Sequence, residues 1–513
     1  MSNLKDFESV LSIFEEISKI PRCSKNEEKI AAYLENFGKS RGFETKRDSH
    51  NNILIQIPAT AGFENLPTVV LQSHMDMVCE KEKGSTHNFS KDALSLNYIE
   101  ENGISYLTAE KTTLGADNGI GMAYALAIAA SNDLCHPPLE LLFTTDEEIG
   151  LTGAQGMEND FISGEYMINL DSEEEGIIIV GCAGGTQICF KQFIDIKNLL
   201  SEDDIGNPNL PISLYSISVS GLKGGHSGTD IHIGRGNANK IAARFFNKLN
   251  EKYLENRIEL IEIKGGSASN TIPRYAEILV VTDISSENLK NEAAELKRII
   301  LSDSAFNDSD LTIEVEENSS SIEMVSLKSF SKKGAVQMIQ FLATIPTGVF
   351  EMSPDIEGLV LVSGNLAIVK TKTESETSEI LGENSKKEIE IIYSLRSGNE
   401  SKLKEKIKEM MDIAAENRFI AEISHTYLPW EPRFESDFLK KCANVYKETF
   451  GKEASIEAIH AGLECGVFHR TFPKMQMISI GPDISGAHTP DEKLNLDAAE
   501  KVWIYLKEIL KAF

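Results

Sequence analysis

The sequence has no run of the ~20 apolar residues that spanning a bilayer requires. The longest candidate, from Gly119 to Ala130, is too short. The first twenty residues lack the basic start and continuous apolar stretch of a secretion signal and instead carry acids in an amphipathic pattern. There is no CxxC pair among the seven cysteines, and their number is odd. That argues against a cysteine-held zinc and for free thiols in a reducing compartment. A basic excess is missing too. The net charge of −28 repels nucleic acid and anionic lipid and excludes both as partners. No tandem repeat or low-complexity tract appears. A soluble, cytoplasmic, globular protein is the expectation.

With 513 residues the chain exceeds what one core holds, so two domains are expected. Phe7, Val10, Leu11, Phe14 and Ile17 repeat at helical spacing, and Pro21 ends that helix. Ser24 and Glu27 read as a capping box for a second helix that Gly38 stops. Apolar strands (53–57, 68–71, 139–143, 166–170) then alternate with a small-residue helix over 119–130. This predicts an α/β fold with a mixed, largely parallel sheet. From about Lys191 amphipathic helices (238–253, 401–415) alternate with strands (213–220, 388–394) and polar loops such as 371–387. The predicted division is a catalytic domain over 1–190, an inserted second domain over 191–428, and the remainder of the first domain over 429–513.

Metal-type side chains fall where strands end. His74 follows the strand beginning at Thr68, Asp146-Glu-Glu follows Leu139–Thr145, Asp171 follows Tyr166–Leu170, and His488 lies one loop beyond Met475–Gly481. In an open α/β sheet, ligands gather outside the carboxyl ends of strands. Asp117 joins from the loop opening the small-residue helix. The nitrogen and oxygen donors suit zinc, with cobalt or manganese as substitutes. Two metals about 3.5–4 Å apart need a bridging ligand, and Asp117 is the candidate. His74 with Asp171 would complete one metal, and His488 with Glu148 the other. Asp76 lies two residues beyond His74 and is assigned to orient its imidazole. Glu147 and Glu148 are adjacent and cannot point the same way. While Glu148 binds metal, Glu147 is free to take a proton from water acidified by the metals.

These residues sit in ordered motifs: Ser73-His-Met-Asp-Met-Val, Thr113-Leu-Gly-Ala-Asp-Asn-Gly-Ile-Gly, Thr145-Asp-Glu-Glu-Ile-Gly and Asn169-Leu-Asp-Ser-Glu-Glu-Glu-Gly. The set resembles the di-zinc aminopeptidase and carboxypeptidase superfamily that includes aminoacylase. Gly181-Cys-Ala-Gly-Gly, Gly224-Gly-His-Ser-Gly, Ile231-His-Ile-Gly-Arg-Gly, His460-Ala-Gly-Leu-Glu-Cys-Gly and Gly486-Ala-His-Thr-Pro-Asp-Glu are similar to its aminoacyl-histidine dipeptidase branch. The resemblance runs from about Pro21 to the C-terminus. It implies a zinc-peptidase catalytic domain interrupted by an α+β lid with ferredoxin-like βαβ units, two Zn²⁺ per chain, and a cis peptide after Asp117. It also implies dipeptides as substrates, Xaa-His among other unspecific ones, hydrolysed through metal-activated water with Glu147 as general base. His226 would stabilise the oxyanion. Asn270, Arg396 and Gly462 would contact substrate, Arg396 by forking onto a free carboxylate. Whether the lid forms a homodimer, and whether His226 acts within one chain or across two, stays open. An N-acyl amino acid deacylase uses the same metals, and a non-catalytic zinc-binding protein would keep the ligands alone. The role of the acidic 371–387 loop is also left open.

Overall fold

A computed structural model describes residues 2–201, 204, 211–318, 327–372 and 386–513. Most of the acidic 371–387 loop therefore lies outside the described residues. The chain forms two compact units: residues 1–182 with 428–513, and residues 183–427. The first boundary falls eight residues before the expected 190. The strand Gly184–Asn198 pairs along its length with Lys386–Ser397 and belongs wholly to the second unit.

The first unit is built on an eight-stranded sheet. Its order is Glu44–Arg47, Ile53–Ile57, Leu139–Thr144, Val69–His74, Tyr166–Asn169, Gln476–Ser479, Ile177–Cys182 and Ser455–Ile459. The four central strands, from Leu139–Thr144 to Gln476–Ser479, run parallel to one another, so their carboxyl ends share one edge. Strands buried on both faces read as continuous apolar runs rather than alternating ones. Val69–His74 and Leu139–Thr144 are buried at every position. The helix Ala116–Ala130 is buried nearly all round, which explains its small residues. Phe14, Ile30, Leu34, Ile120, Leu126 and Trp503 share its core. A smaller sheet places Ile484–Ser485 against Lys493–Asn495, and the turn between them carries His488.

Two local expectations are corrected. The second helix spans Glu28–Ser40 and starts without a side-chain cap. The Ser24 hydroxyl donates instead to Asp76 Oδ2 at 2.7 Å, and Glu27 accepts the amides of Lys25 and Asp146. Gly38 lies inside this helix, where a β-carbon would sit 2.3 Å from Thr45 Oγ1, so it serves close packing and not termination. The expectation of seven free thiols also fails. Cys23 and Cys79 are disulfide-bonded with Cα atoms 5.7 Å apart, within the range a disulfide spans. Backbone pairing of Cys23 with Met77 brings together two residues 56 apart in sequence, which no spacing motif announces. The other five cysteines are free.

The second unit has a ten-stranded sheet whose pairings among the described residues are all antiparallel. It contains two βαββαβ repeats. One uses strands 213–220, 258–265, 276–282 and 312–317, laid out fourth, first, third, second. The other uses 184–198, 360–371, 386–397 and 420–427 in the same relative order. The first repeat is inserted after the opening strand of the second, and the strands 258–265 and 360–371 join them into one sheet. Helices Ala238–Lys252, Ser286–Leu301, Lys332–Thr344 and Glu400–Glu416 cover it around Phe190, Phe245 and Phe341. Among the described residues no helix is long and apolar enough to cross a membrane.

Candidate active site

At the shared carboxyl edge of the first unit's sheet, Asp117 stands between two histidines. Its Oδ1 lies 2.9 Å from His74 Nε2, and its Oδ2 lies 3.0 Å from His488 Nε2. Each carboxylate oxygen thus faces a different imidazole. Asp171 Oδ1 is 3.3 Å from His74 Nε2, and Glu148 Oε2 is 3.0 Å from His488 Nε2. The five residues fall into two half-sites, His74 with Asp171 and His488 with Glu148, that share Asp117. Donor atoms of His74, Asp117 and Glu148 lie within 4.8 Å of one another.

Local structure fixes each group. His74 ends its strand and is fully buried. Its Nδ1 is 3.3 Å from Asp76 Oδ1 and 3.2 Å from the Asp76 carbonyl, the outer partner a ligating imidazole needs. Asp76 does a second job. Its two oxygens accept the amides of Glu147 at 3.1 Å and Glu148 at 3.4 Å, so one carboxylate ties the His74 strand end to the glutamate pair. Asp117 and Asn118 interrupt the first turn of their helix with extended and irregular backbone, and the peptide between them is cis. The Asn118 amide donates to the Leu170 carbonyl at 3.0 Å and to Asp171 Oδ1, which holds that carboxylate towards His74.

Asp76, Asp117, Glu147, Glu148 and Asp171 gather around two imidazoles. Burial raises Glu148 to about 7 and Glu147 well above the usual carboxylate range, with neighbouring carboxylates adding to the shift. Burial opposes protonation of His74, but the charge of Asp171 and hydrogen bonds to Asp117 and Asp171 raise it well above the ordinary histidine value. Glu148 Oε1 is buried without a hydrogen-bond partner among the described residues. An unpaired buried oxygen beside closely packed acids costs stability unless a cation satisfies it. The donor set fits two divalent ions of the zinc type. The Glu147 carboxylate takes no hydrogen bond or ion pair from a described residue, so it is free beside the cluster.

Residues 70–512 match the Peptidase family M20/M25/M40. The chain belongs to that family. As a member it is a metallopeptidase, a family whose sites are usually dinuclear. The chain is 37% identical, over 97% of its length and 96% of the relative's, to the cytosol non-specific dipeptidase of Escherichia coli K12. It is 34% identical to the aminoacylhistidine dipeptidase from Vibrio alginolyticus, whose crystal structure it matches with a TM-score of 0.76 over 98% of this chain and 96% of that one. A tripeptidase from Staphylococcus aureus shares the fold at 16% identity, with a TM-score of 0.51 over 98% and 97% of the two chains.

The remaining candidates divide between the units. His226, Asn270 and Arg396 gather in the second. His226 pairs with Thr271 on a two-residue ladder, and Ser227 donates to the Asn270 carbonyl at 2.7 Å. The Thr229 amide donates to His226 Nδ1 at 3.1 Å. Arg396 Nη2 lies 3.3 Å from His226 Nε2, and its Nη1 donates to the Tyr427 hydroxyl at 3.0 Å. The guanidinium and the imidazole therefore converge. Gly462 lies in the first unit, between the strand Ser455–Ile459 and the helix Glu464–Thr471.

Sequence reasoning missed the groups beneath the candidate ligands. Glu464 is fully buried and accepts from Gln72 Nε2 and Thr144 Oγ1, both at 2.6 Å. Asn169 donates to Gln72. Gln72, Thr144 and Asn169 precede His74, Glu147 and Asp171 by two or three residues on three adjacent strands. Polar residues inside otherwise apolar strands were the available signal. Arg22, fully buried, and Glu492, 2% exposed, likewise carry no signal in the sequence.

Proposed function

We propose that the protein is a di-zinc dipeptidase, cleaving Xaa-His and other dipeptides without narrow specificity. The observation that carries this is Asp117, each of whose oxygens faces a separate histidine that is paired with its own carboxylate. His74, Asp117 and Asp171 would hold one metal, and His488, Asp117 and Glu148 the other, with Zn²⁺ suited to the donors and Co²⁺ or Mn²⁺ as substitutes. When bound, such metals supply Lewis acidity that lowers the pKa of water and polarises the carbonyl.

The chain's own groups do the rest. Glu147 receives the proton of the attacking water and returns it to the leaving amine. Asp76 holds the imidazole of His74 and, through two amides, sets where Glu147 stands. His226 stabilises the oxyanion, while Arg396 and Asn270 hold the substrate carboxylate and backbone. Gly462 leaves room for the peptide to lie close to the chain.

The names of the Escherichia coli and Vibrio relatives support the choice of a dipeptide. The name of the Escherichia coli relative supports a cytoplasmic location, against which the Cys23–Cys79 disulfide stands. A homodimer through the second unit belongs to the same reading, and light scattering on the purified protein tests it. The deciding experiment combines metal analysis with hydrolysis of Ala-His, other dipeptides and N-acetyl amino acids. Two metals per chain with dipeptide cleavage is expected. Cleavage of the N-acetyl compounds alone would make the protein a deacylase, and metal without hydrolysis a binding protein.

A further inference from the structure

One buried carboxylate outside the ligand set holds the whole segment that ends in Asp117. Four consecutive amides point at Glu492. Those of Leu114 and Gly115 lie 2.8 and 2.9 Å from its Oε2, and those of Ala116 and Asp117 lie 2.7 and 3.4 Å from its Oε1. Successive amides converge in this way when one residue turns left-handed, making a nest for an anion. Gly115, at φ +66°, supplies that turn.

The same segment is gripped through its carbonyl. The Arg22 guanidinium donates to the Gly115 carbonyl and also to those of Asp76 at 2.8 Å and Met75 at 3.3 Å. A β-carbon at Gly115 or Gly119 would come within 2.6 or 2.7 Å of Arg22 Nη2, so both glycines are small to admit the guanidinium. Glu492 stands four residues beyond His488 on the same turn between strands. One carboxylate therefore joins the turn bearing His488 to the segment bearing Asp117. Arg22 joins that segment to the end of the His74 strand.

We propose that Glu492 and Arg22 form an opposed pair of positioning residues that set Asp117 between its two histidines and thereby assemble both half-sites at once. Neither is a ligand. Their charges match the groups they hold: an anion for four N–H donors, a cation for three carbonyls. Glutamine at 492 keeps the shape but has one acceptor oxygen, so two amides would face its NH₂ group. This inference rests on the reading of Asp117 as a metal ligand.

The test uses the full-length protein stripped of metal and reloaded. Zinc affinity is measured by chelator competition, cobalt(II) loading by its visible spectrum, and folding by circular dichroism, for wild type, Glu492→Gln and Arg22→Lys. Loss of such outer partners lowers metal affinity by about 10–100-fold. Both variants should fold, bind zinc that much more weakly, and show an altered cobalt spectrum, which a merely structural contact far from the ligands would not change. Folded Glu492→Gln with wild-type zinc affinity and spectrum would overturn the proposal. Should that variant fail to fold, Arg22→Lys decides on the same two measurements. Wild type that takes up no zinc would instead sink the metal reading beneath it.

Discussion

Replacing Glu147 by Gln isolates one chemical role. Glutamine has the same shape, and the Glu147 backbone amide that Asp76 holds is untouched. The Glu147 side chain takes no hydrogen bond or ion pair from a described residue, so nothing in the frame is removed with the charge. Glu148, which faces His488, keeps its anchor on the same Asp76 carboxylate. Metal content should therefore stay at the wild-type level. What is lost is an acceptor for the water proton and a donor for the leaving amine. General acid–base groups contribute about 10²–10⁴-fold. At about 1.36 kcal/mol per decade, that is roughly 2.7–5.4 kcal/mol of barrier.

The assay is steady-state hydrolysis of Ala-His with metal analysis on the same sample. The fall should appear in kcat, with KM changed little, because the interaction is made in the transition state. The pH profile adds a second readout. In the metal-free protein burial raises Glu147 above the usual carboxylate range, and the charges of Asp171 and Glu148 add to that, while His74 opposes it; bound metals would lower it. The base must be ionised, so activity is lost as pH falls and Glu147 of the metal-loaded protein takes up its proton. The residual rate of the glutamine variant should lack this acid limb. Near-normal turnover, or metal lost in step with activity, would refute the assignment.

Three further outcomes are expected. In the metal-free protein burial opposes protonation of both histidines, but Asp117, Asp171 and Glu148 raise them, and burial lifts Glu148 to about 7. These groups carry protons at neutral pH that zinc must displace. Affinity should rise with pH, and calorimetry in buffers of different ionisation enthalpy should register proton release; buffer-independent heats would contradict this. Arg396→Lys keeps the charge but loses the fork. KM for dipeptides should rise about 10-fold, the equivalent of one charged hydrogen bond at roughly 1.5 kcal/mol, and an unchanged KM would remove Arg396 from carboxylate binding. Denatured without reductant, the chain should present five thiols to a colorimetric reagent, and seven after reduction; seven at the outset would deny the Cys23–Cys79 bond.

The parts legible in the sequence share a physical cause. A strand buried on both faces must be apolar throughout, so the polar residue that ends the run marks both the strand's end and the group it presents. His74, Asp171 and the Glu147–Glu148 pair were visible for this reason. The same logic fails for groups that act on backbone. Glu492 serves four amides and Arg22 three carbonyls. Any residue type supplies those partners, so no pattern at 75, 76 or 114–117 points to 22 or 492. The misread cap has a related origin. Ser24 and Glu27 have the spacing of a capping box, yet both side chains are recruited to the site, by Asp76 and by the amide of Asp146. A local motif loses to a tertiary partner when that partner is a buried charge, because leaving a buried carboxylate oxygen unpaired costs more than leaving a helix end to water. Polar residues that break a local rule near a ligand are therefore where a second layer of the site should be sought, and Glu464, set among apolar neighbours at the start of a short helix, is another such place.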